Sequence, residues 1–302
     1  MRLVGVADSD TVRADAVARE FECRGFGSLE QLIGTHSEVQ AASVAVPTVQ
    51  HFQVARQLME AGVDVLIEKP LAASLTQADE LIQLARRSGR IAQAGHLERF
   101  NPAVRATFPL ITQPMFFEVH RLSVFTPRSL DVDVVLDLMI HDLDIVQAFV
   151  KSEVQEIRAV GLPILSGKVD IANVRIQFAS GCVANFTASR VSTERVRKLR
   201  FFQPHQYISL DYGRQDVLLF SVGGSQEQAT LTVNPQIQVA KPVVAAEEPL
   251  HAELKAFVEA VQDHVPPQVP LEDGRRALAL AMQVTSAIGE HGKSVRLDKL
   301  RS

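Results

Sequence analysis

The sequence has few cysteines, no cluster of basic residues and no long apolar run, and each shortage excludes a class of protein. Cys23 and Cys182 lie far apart and form no CxxC or metal-type spacing, which predicts two reduced thiols in a cytoplasmic protein. The net charge is −4, so nucleic acid is not an expected partner. No apolar stretch reaches the ~20 residues that a membrane span needs. The N-terminus, with one arginine and a short apolar run ended by Asp8, does not match a signal peptide.

What remains is the composition of an ordinary globular protein. Of the 302 residues, 46% are hydrophobic and 22% are charged. That length accommodates two domains, each large enough to bury its own core. The hydrophobic periodicity differs between the two halves of the chain, so we expect two different architectures.

In the first half, short apolar runs alternate with segments of helical periodicity. This alternation is the signature of a doubly wound, parallel α/β sheet. The predicted strands are Leu3–Ala7, Ala42–Val46, Val63–Ile67 and Ile91–Ala94, and the predicted helices are Thr11–Phe21, Val49–Ala61 and Leu75–Arg87.

The second half has a different pattern, with one long helix predicted at Val134–Val150 and strands that follow one another at hairpin spacing. That pattern predicts an α+β domain with an antiparallel sheet. The predicted domains are residues 1–105 and residues 106–302. The predicted strands are Met115–Val124, Val154–Val160, Asn173–Phe178, Val183–Ala188, Lys198–Phe202, Tyr207–Asp211 and Val217–Val222, before closing helices at Leu250–Val261 and Gly274–Ile288.

Two polar residues follow predicted strands of the first half. Asp8 stands where a dinucleotide-binding sheet places the carboxylate that accepts the ribose hydroxyls, although an aspartate that begins a helix is the alternative. An acid there favours NAD over NADP, because it repels a 2′-phosphate, and Ser9 weakens that preference. Lys69, in the sequence E-K-P, lies at the carboxyl end of a strand, where open α/β sheets bind ligands. It either hydrogen-bonds a substrate hydroxyl or is a solvated lysine paired with Glu68.

Three polar residues share one face of the predicted helix at Val134–Val150. Asp137, His141 and Asp144 are spaced by four and three positions, which places them on one side of a helix. Histidine is the usual general base for alcohol oxidation, and a carboxylate beside it fixes the tautomer. One alternative is a merely solvated polar face, with Asp142 as a second exposed acid. The other is a metal site with two carboxylates and one histidine, which no HExxH or cysteine-rich partner supports.

Residues His96–Pro102, H-L-E-R-F-N-P, follow the fourth predicted strand. His96 and Arg99 are expected at the same carboxyl edge as Lys69. Arg99 is alternatively a structural clamp on Glu98 or Glu118. His120 and Arg121, on the strand at 115–124, are further candidates for that cleft, and the weaker candidates for binding a substrate anion are Arg128, Arg190 and Arg195.

Four segments together resemble the Gfo/Idh/MocA family of oxidoreductases, the relatives of glucose–fructose oxidoreductase and inositol dehydrogenase. Val44–His51 (V-A-V-P-T-V-Q-H) resembles the family's strand that ends in proline and is followed by histidine, and Glu68–Pro70 (E-K-P) is similar to its hallmark. Gly95–Pro102 (G-H-L-E-R-F-N-P) and Asp137–Asp144 (D-L-M-I-H-D-L-D) resemble its G-x-x-x-R-F-x-P segment and its D-x-G-x-H-x-x-D helix. Met139 stands where many members have glycine.

The resemblance implies a Rossmann domain, followed by a domain whose open antiparallel sheet often makes the contact of a homo-oligomer, a dimer or a tetramer. It implies hydride transfer between NAD(P) and a carbon of a sugar or polyol. The segment G-H-L-E-R-F-N-P most resembles members that act on nucleotide-linked amino sugars, such as UDP-N-acetylglucosamine at C3. The implied partner is therefore a small sugar or nucleotide-sugar substrate.

The resemblance also implies roles for individual residues, and no metal ligand is expected among them. The catalytic residues would be Lys69, Asp137 and His141, with His141 as base, Asp137 tuning it and Lys69 polarising the hydroxyl. The cofactor-binding residues would be Asp8, Ser9, Pro47, Thr48, His51, Glu68, Lys69 and His96. The substrate-binding residues would be Lys69, Arg99, Asn101, Arg121 and His141.

One departure concerns the front of the first domain. A family member opens with a strand, a G-x-G-x-x-G turn and a helix before the strand that is Leu3–Ala7 here. We therefore expect an incomplete Rossmann domain, with a gap between that strand and Ala42–Val46 and with weak cofactor binding. The expected causes are a start codon assigned too late, a fragment, or a shortened, non-catalytic module that binds a sugar nucleotide or assembles.

Overall fold

The structure is a computed structural model that describes residues 1–126, 132–223 and 236–295, so the candidate Arg128 lies outside the described residues. The chain divides into two compact units. The first comprises Met1–Gly95 and Ala256–Glu272, and the second comprises His96–Lys255 and Asp273–Ser302. The return of residues 256–272 to the first unit was not predicted from the sequence.

The first unit contains two separate parallel sheets. Strands β1 (Gly5–Ala7) and β2 (Arg24–Phe26) form one, and β3 (Ala41–Val44), β4 (Asp64–Glu68) and β5 (Ala92–Gly95) form the other in that order. The described residues of this unit form no ladder between the two sheets. As predicted, the first strand does not pair with the strand near residue 42. It pairs instead with β2, which the sequence analysis did not predict.

The helices of the first unit begin at residues suited to capping. Helix α1 (Thr11–Glu20) starts after Asp10, and α4 (Leu75–Ser88) starts after Ser74, each of which accepts a backbone N–H with its side chain. The remaining helices are α2 (Leu29–Thr35) and α3 (Thr48–Glu60). Strand β4 is buried on both faces, as a central parallel strand requires.

The second unit opens with a 3₁₀ turn at Leu97–Phe100 and the short helix α5 (Pro102–Thr107), followed by a further 3₁₀ turn at Phe108–Leu110. Its eight-stranded sheet has the order β13-β12-β11-β10-β6-β9-β8-β7. Every neighbouring pair is antiparallel except β6 and β9, which are parallel. The strands are β6 (Phe116–Leu122), β7 (Val154–Leu162), β8 (Ile171–Phe178), β9 (Val183–Ser189), β10 (Val196–Gln203), β11 (Gln206–Asp211), β12 (Asp216–Gly223) and β13 (Gln236–Ala240).

The inner face of this sheet packs against helix α6 (Ile140–Val150), which is preceded by a π-helical turn at Val135–Met139. Phe117 and Phe201 stack at the centre of the core, with ring centroids 5.2 Å apart. Helices α7 (Pro249–Asp263) and α8 (Leu271–Ser294) close the chain. The predicted combination of a Rossmann-like parallel sheet and a largely antiparallel sheet is confirmed. No helix among the described residues is long and apolar enough to cross a membrane.

The outer face of the same sheet carries a row of aromatic side chains on neighbouring strands. Phe116, Phe202, Tyr207 and Phe220 stack in succession, with centroid separations of 5.8, 4.9 and 5.3 Å. The register places Val239 of β13 opposite Phe220 and so extends the row. These side chains are only partly covered in the chain, and Val239 is 60% exposed. The outer face therefore carries a continuous apolar row, which we name the aromatic row.

Candidate functional site

Asp8 lies at the carboxyl end of the first, two-stranded sheet, directly after β1. Its Oδ1 accepts a hydrogen bond from the backbone N–H of Asp10 at 2.9 Å, and its Oδ2 accepts one from Arg13 Nη1 at 3.3 Å. The first bond is the turn contact of a helix-entry aspartate, the alternative left open by the sequence. The side chain remains partly exposed, beside the exposed Ser9. Its oxygens retain acceptor capacity, so a turn role and a ribose contact are compatible.

At the carboxyl edge of the second sheet, the start of α3 follows the end of β3. Pro47 is the N-cap and makes no side-chain capping bond, so the first amides of the helix, from Thr48 onward, have no side-chain partner at the cap. An uncapped helix start favours a negatively charged or polar ligand through its N–H groups and its dipole. Both residues were predicted to bind the cofactor, and that role stays a prediction.

His51, one turn into α3, is buried between two carbonyl oxygens. Its Nδ1 lies 2.8 Å from the oxygen of Pro70, and its Nε2 lies 2.8 Å from the oxygen of Val46. Burial lowers the pKa of His51, the two carbonyl oxygens oppose that shift, and the charge of Lys69 adds to it. The ring therefore ties the end of β3 to the segment that follows β4. A direct cofactor contact by His51 stays a prediction, and its burial argues against it.

Glu68 and Lys69 complete this edge at the end of β4. Both side chains are half-buried, and burial raises the pKa of Glu68 while the neighbouring Lys69 charge lowers it. Strand β5 comes so close that a Cβ on Gly95 would lie 2.9 Å from Glu68 Cα. Glycine is therefore required at Gly95 for β4 and β5 to pair at this point.

Asp8 was predicted to contact the adenosine ribose of a dinucleotide and Lys69 its nicotinamide end, and both roles stay predictions. The nearest approach to a glycine fingerprint is Gly25-Phe26-Gly27, which ends β2 and precedes α2, but Glu30 occupies the place of its third glycine. A Cβ on Gly25 would lie 2.6 Å from Asp15 Oδ1, so this glycine serves the packing of β2 against α1. No other part of the sequence matches G-x-G-x-x-G.

In the second unit, the predicted helix at 134–150 has an irregular start. Asp133 Oδ1 accepts the backbone N–H groups of Val135 and Leu136, both at 3.0 Å, and so caps the π-helical turn. Asp137 lies in that turn and His141 lies in the first turn of α6, both half-buried. Such single π turns recur at functional sites because they displace a side chain from its regular helical position. The buried Met139 separates the two.

Asp142 is buried, and the interpretation of it as a second exposed acid is wrong. It is 2% exposed, and both its oxygens accept from Arg121, at 2.6 Å from Nε and 2.9 Å from Nη2. Arg121 Nη1 also donates to Glu98 Oε1 at 2.9 Å, and its guanidinium lies over the ring of Tyr212. Burial lowers the pKa of Arg121, but the carboxylates of Asp142 and Glu98 outweigh it and hold that pKa well above its usual value.

Asp144 is engaged in the same manner by a second arginine. Arg99 Nε donates to Asp144 Oδ2 at 2.6 Å, and Arg99 Nη2 donates to Oδ1 at 2.8 Å. Arg99 also pairs with Asp273 at 3.4 Å, and His96 Nδ1 lies 3.8 Å from Asp144 Oδ2. Arg99 is thus a structural clamp, but its partners are Asp144 and Asp273, and neither Glu98 nor Glu118.

The other predicted substrate residues of this unit have structural partners. Asn101 caps α5 through the Ala103 N–H, and its Nδ2 donates to Glu98 Oε2 and to the Tyr212 carbonyl, each at 3.1 Å. Substrate contacts by Arg99, Asn101 and Arg121 stay predictions, and burial of the last two argues against them. Of the weaker candidates, Arg190 pairs with the buried Asp170 at 2.8 Å and Arg195 is exposed.

Sequence reasoning missed Glu98, Tyr212 and Asp273 as members of these buried networks. The sequence did carry a signal that Asp142 is buried, because this aspartate lies away from the polar face of an otherwise strongly apolar helix. An acid in such a helix needs a buried cation, and Arg121, at an inward position of β6, supplies it. Within the described residues, no group of three or more His, Cys, Asp or Glu side chains is arranged to hold a metal ion.

Comparison with protein families matches both units. Residues 1–96 match the model described as an oxidoreductase family with an NAD-binding Rossmann fold. Residues 112–203 match the model of the GFO/IDH/MocA C-terminal domain. These matches confirm the resemblance seen in the four sequence segments.

Individual relatives agree with the family models. UDP-N-acetylglucosamine 3-dehydrogenase of Acidithiobacillus ferrooxidans is 37% identical over 288 residues, which span 95% of this chain and 90% of that protein. The scyllo-inositol 2-dehydrogenase (NAD(+)) of Bacillus subtilis is 25% identical over 318 residues, 100% of this chain and 90% of that protein.

Solved structures show the same relationship. That of UDP-N-acetylglucosamine 3-dehydrogenase GnnA from Acidithiobacillus ferrooxidans has a TM-score of 0.86 at 36% identity, over 95% of this chain and 89% of that chain. Levoglucosan dehydrogenase, solved with NADH and levoglucosan, has a TM-score of 0.83 over 95% of this chain and 88% of that chain, but at 16% identity it shows the fold alone. The chain belongs to the Gfo/Idh/MocA family of NAD-binding oxidoreductases.

Proposed function

We propose that this protein is an NAD(P)-dependent dehydrogenase of a nucleotide-linked amino sugar, with UDP-N-acetylglucosamine oxidised at C3 as its reaction. The observation that carries the proposal is the 37% identity to a UDP-N-acetylglucosamine 3-dehydrogenase over 95% of the chain. The segment G-H-L-E-R-F-N-P supports the same substrate class. A nicotinamide cofactor, when bound, supplies the hydride acceptor.

The proposed roles follow the chemistry of alcohol oxidation. His141 takes the proton of the sugar hydroxyl, because an imidazole is basic enough near neutral pH to do so. Asp137 orients the ring and stabilises its charged form. Lys69 donates a hydrogen bond to the same hydroxyl and stabilises the developing alkoxide. The preferred cofactor is NAD, since a carboxylate at Asp8 disfavours a 2′-phosphate.

Replacement of the proposed base and the proposed lysine tests this assignment. With UDP-N-acetylglucosamine and NAD, His141→Ala and Lys69→Met are each expected to lower kcat by about 10²–10⁴-fold, the usual worth of a general acid or base. Reduced nicotinamide absorbance reports turnover, and circular dichroism confirms that each variant folds. Arg158→Gln, an exposed replacement on β7, is the matched control and is expected to keep wild-type turnover. Near-normal kcat in both site variants would contradict the assignment.

A second candidate function is a non-catalytic module that binds a sugar nucleotide or assembles without binding the cofactor. It is favoured by the separation of the first unit into two sheets and by the lack of G-x-G-x-x-G in the sequence. Calorimetric titration distinguishes the two candidates. Binding of both NAD and UDP-N-acetylglucosamine supports the dehydrogenase, and binding of the sugar nucleotide alone supports the module.

We also propose a cytoplasmic homo-oligomer that assembles through the aromatic row. Two cysteines without a disulfide suit the reducing cytoplasm, and the row offers an apolar surface that a second copy of the sheet can cover. Phe202→Glu is expected to shift the species seen by sedimentation velocity toward the monomer. An unchanged sedimentation coefficient, with the variant folded, argues against this surface.

A further inference from the structure

Two acidic residues follow His141 on helix α6, and a third precedes it. The spacing alone leaves open which carboxylate serves the histidine. Asp137 lies four positions before it, and Asp144 lies three positions after it, so both face its side of a helix. Asp142 is the immediate neighbour. The contacts of these aspartates decide between them.

Asp142 and Asp144 are each held by an arginine from another element. Arg121 of β6 donates hydrogen bonds to both oxygens of Asp142, and Arg99 of the 3₁₀ turn donates to both oxygens of Asp144. Both aspartates are 2% exposed. A two-bond guanidinium–carboxylate pair is strong and directional, and each arginine balances the charge of its carboxylate. The negative charges next to His141 on the C-terminal side are therefore matched by positive ones.

Arg99 is the arginine that matters for His141, because its partner Asp144 shares the face of the histidine. Within the described residues, this pair also has contacts with Asp273, 3.4 Å from Arg99, and with His96, 3.8 Å from Asp144. The side chain of Arg99 is 12% exposed, so it is partly accessible to solvent. Loss of its guanidinium would leave the Asp144 carboxylate unmatched three positions from the histidine.

We propose that Arg99 is a positioning residue for His141. It holds Asp144 in a two-bond pair, fixes the first two turns of α6 and leaves Asp137 as the carboxylate that orients the imidazole. The inference rests on the proposed function insofar as His141 is the base. It gives one structural role to two of the sequence segments, since Arg99 of G-H-L-E-R-F-N-P and Asp144 of D-L-M-I-H-D-L-D are partners.

The test uses the full chain labelled with ¹⁵N-histidine and needs no turnover for its first readout. The His141 signals are identified by their loss in His141→Gln and are followed against pH. In Arg99→Gln, the midpoint of His141 is expected to move to higher pH, because an unmatched Asp144 stabilises the imidazolium. Arg99→Lys keeps the charge without the two-bond pair, and its His141 midpoint is expected to lie between those of wild type and Arg99→Gln. The double variant Arg99→Gln/Asp144→Asn removes the unmatched charge, and its His141 midpoint is expected to return to the wild-type value.

The second readout is turnover of UDP-N-acetylglucosamine with NAD. Arg99→Gln is expected to lower kcat by roughly 10-fold or more and to move the acid limb of the pH profile in the same direction as the NMR midpoint, with KM little changed. Arg158→Gln, an exposed arginine of the same unit, is the control and leaves both readouts unchanged. A His141 midpoint that is the same in wild type, Arg99→Gln and the double variant overturns the proposal. A moved midpoint without turnover in any form supports the link between Arg99 and His141 and counts against the proposed function.

Discussion

Replacing Arg121 with methionine removes the positive centre of a buried network while keeping most of its apolar volume. The side chain is 4% exposed, and it binds both oxygens of Asp142 and one of Glu98. In the variant, Asp142 is left buried without a cation, whereas Glu98 keeps a hydrogen bond from Asn101. Removing one partner of a buried ion pair costs about 3–5 kcal/mol, and we expect a loss in this range in the free energy of unfolding.

The same variant has a signature in its pH dependence. Burial already raises the pKa of Asp142 against the opposing charge of Arg121, and without Arg121 the burial and the nearby Glu98 charge raise that pKa further above the unfolded value of about 3.9. A folded-state pKa above the unfolded one contributes stability below the unfolded pKa, and that contribution is lost as pH rises through the folded pKa. The loss in free energy of unfolding relative to wild type is therefore expected to be largest at neutral pH and to shrink as pH falls toward about 4.

Urea titration followed by circular dichroism at several pH values measures both effects. The matched control is Arg158→Met, because Arg158 pairs with Glu156 at 2.7 Å on the surface, where a pair is worth about 0–1 kcal/mol. The double variant Arg121→Met/Asp142→Leu removes both charges and is expected to regain much of the loss. A loss below about 1 kcal/mol, or a loss that does not change with pH, would contradict the role of Arg121 as the cation that balances Asp142.

Two further predictions concern the stability and reactivity of other buried groups. Burial raises the pKa of the Cys182 thiol to about 11. At neutral pH a thiol reagent is therefore expected to label the half-buried Cys23 first and Cys182 only after urea is added. Equal labelling rates of the two cysteines in the native protein would count against this prediction. Asp170 accepts three backbone N–H groups at 2.7–2.8 Å, from residues 164–166. Burial raises the pKa of Asp170, but the hydrogen bonds from Ser166 and Arg190 outweigh burial and hold that pKa below its usual value. Its ionised form therefore contributes stability above the unfolded pKa that is lost as pH falls through the folded pKa, so Asp170→Asn is expected to lose about 1–3 kcal/mol in urea titrations at neutral pH and less in acid.

The regular elements could be predicted because their sequence periods are clear. Predicted strands at Val63–Ile67 and Val183–Ala188 agree with β4 and β9 to within one or two residues, since continuous apolar or alternating runs specify them. Strand β2 and helix α2 were missed. The strand has only three residues, Arg24–Phe26, and two of them are glycine and arginine, which carry no strand signal.

The candidate site was predictable in part, for a different reason. Local motifs led to Lys69, Asp137 and His141 as candidates, because short motifs on one element are visible in sequence, and their roles stay predictions. Partners supplied by other elements were not visible. The pairing of Arg99 with Asp144 joins residues 45 positions apart, and that of Arg121 with Asp142 depends on which face of β6 turns inward. Sequence spacing suggests which residues carry charge, and only the fold decides which charges meet.

Transfer of the C3 hydrogen to the cofactor is the direct test of the proposed reaction. UDP-N-acetylglucosamine carrying deuterium at C3 is incubated with the chain and saturating NAD, and mass spectrometry measures deuterium in the reduced cofactor. We expect labelled reduced cofactor with wild type and almost none with His141→Ala. Unlabelled reduced cofactor, or none at all when calorimetry shows that both ligands bind, would contradict the proposed reaction.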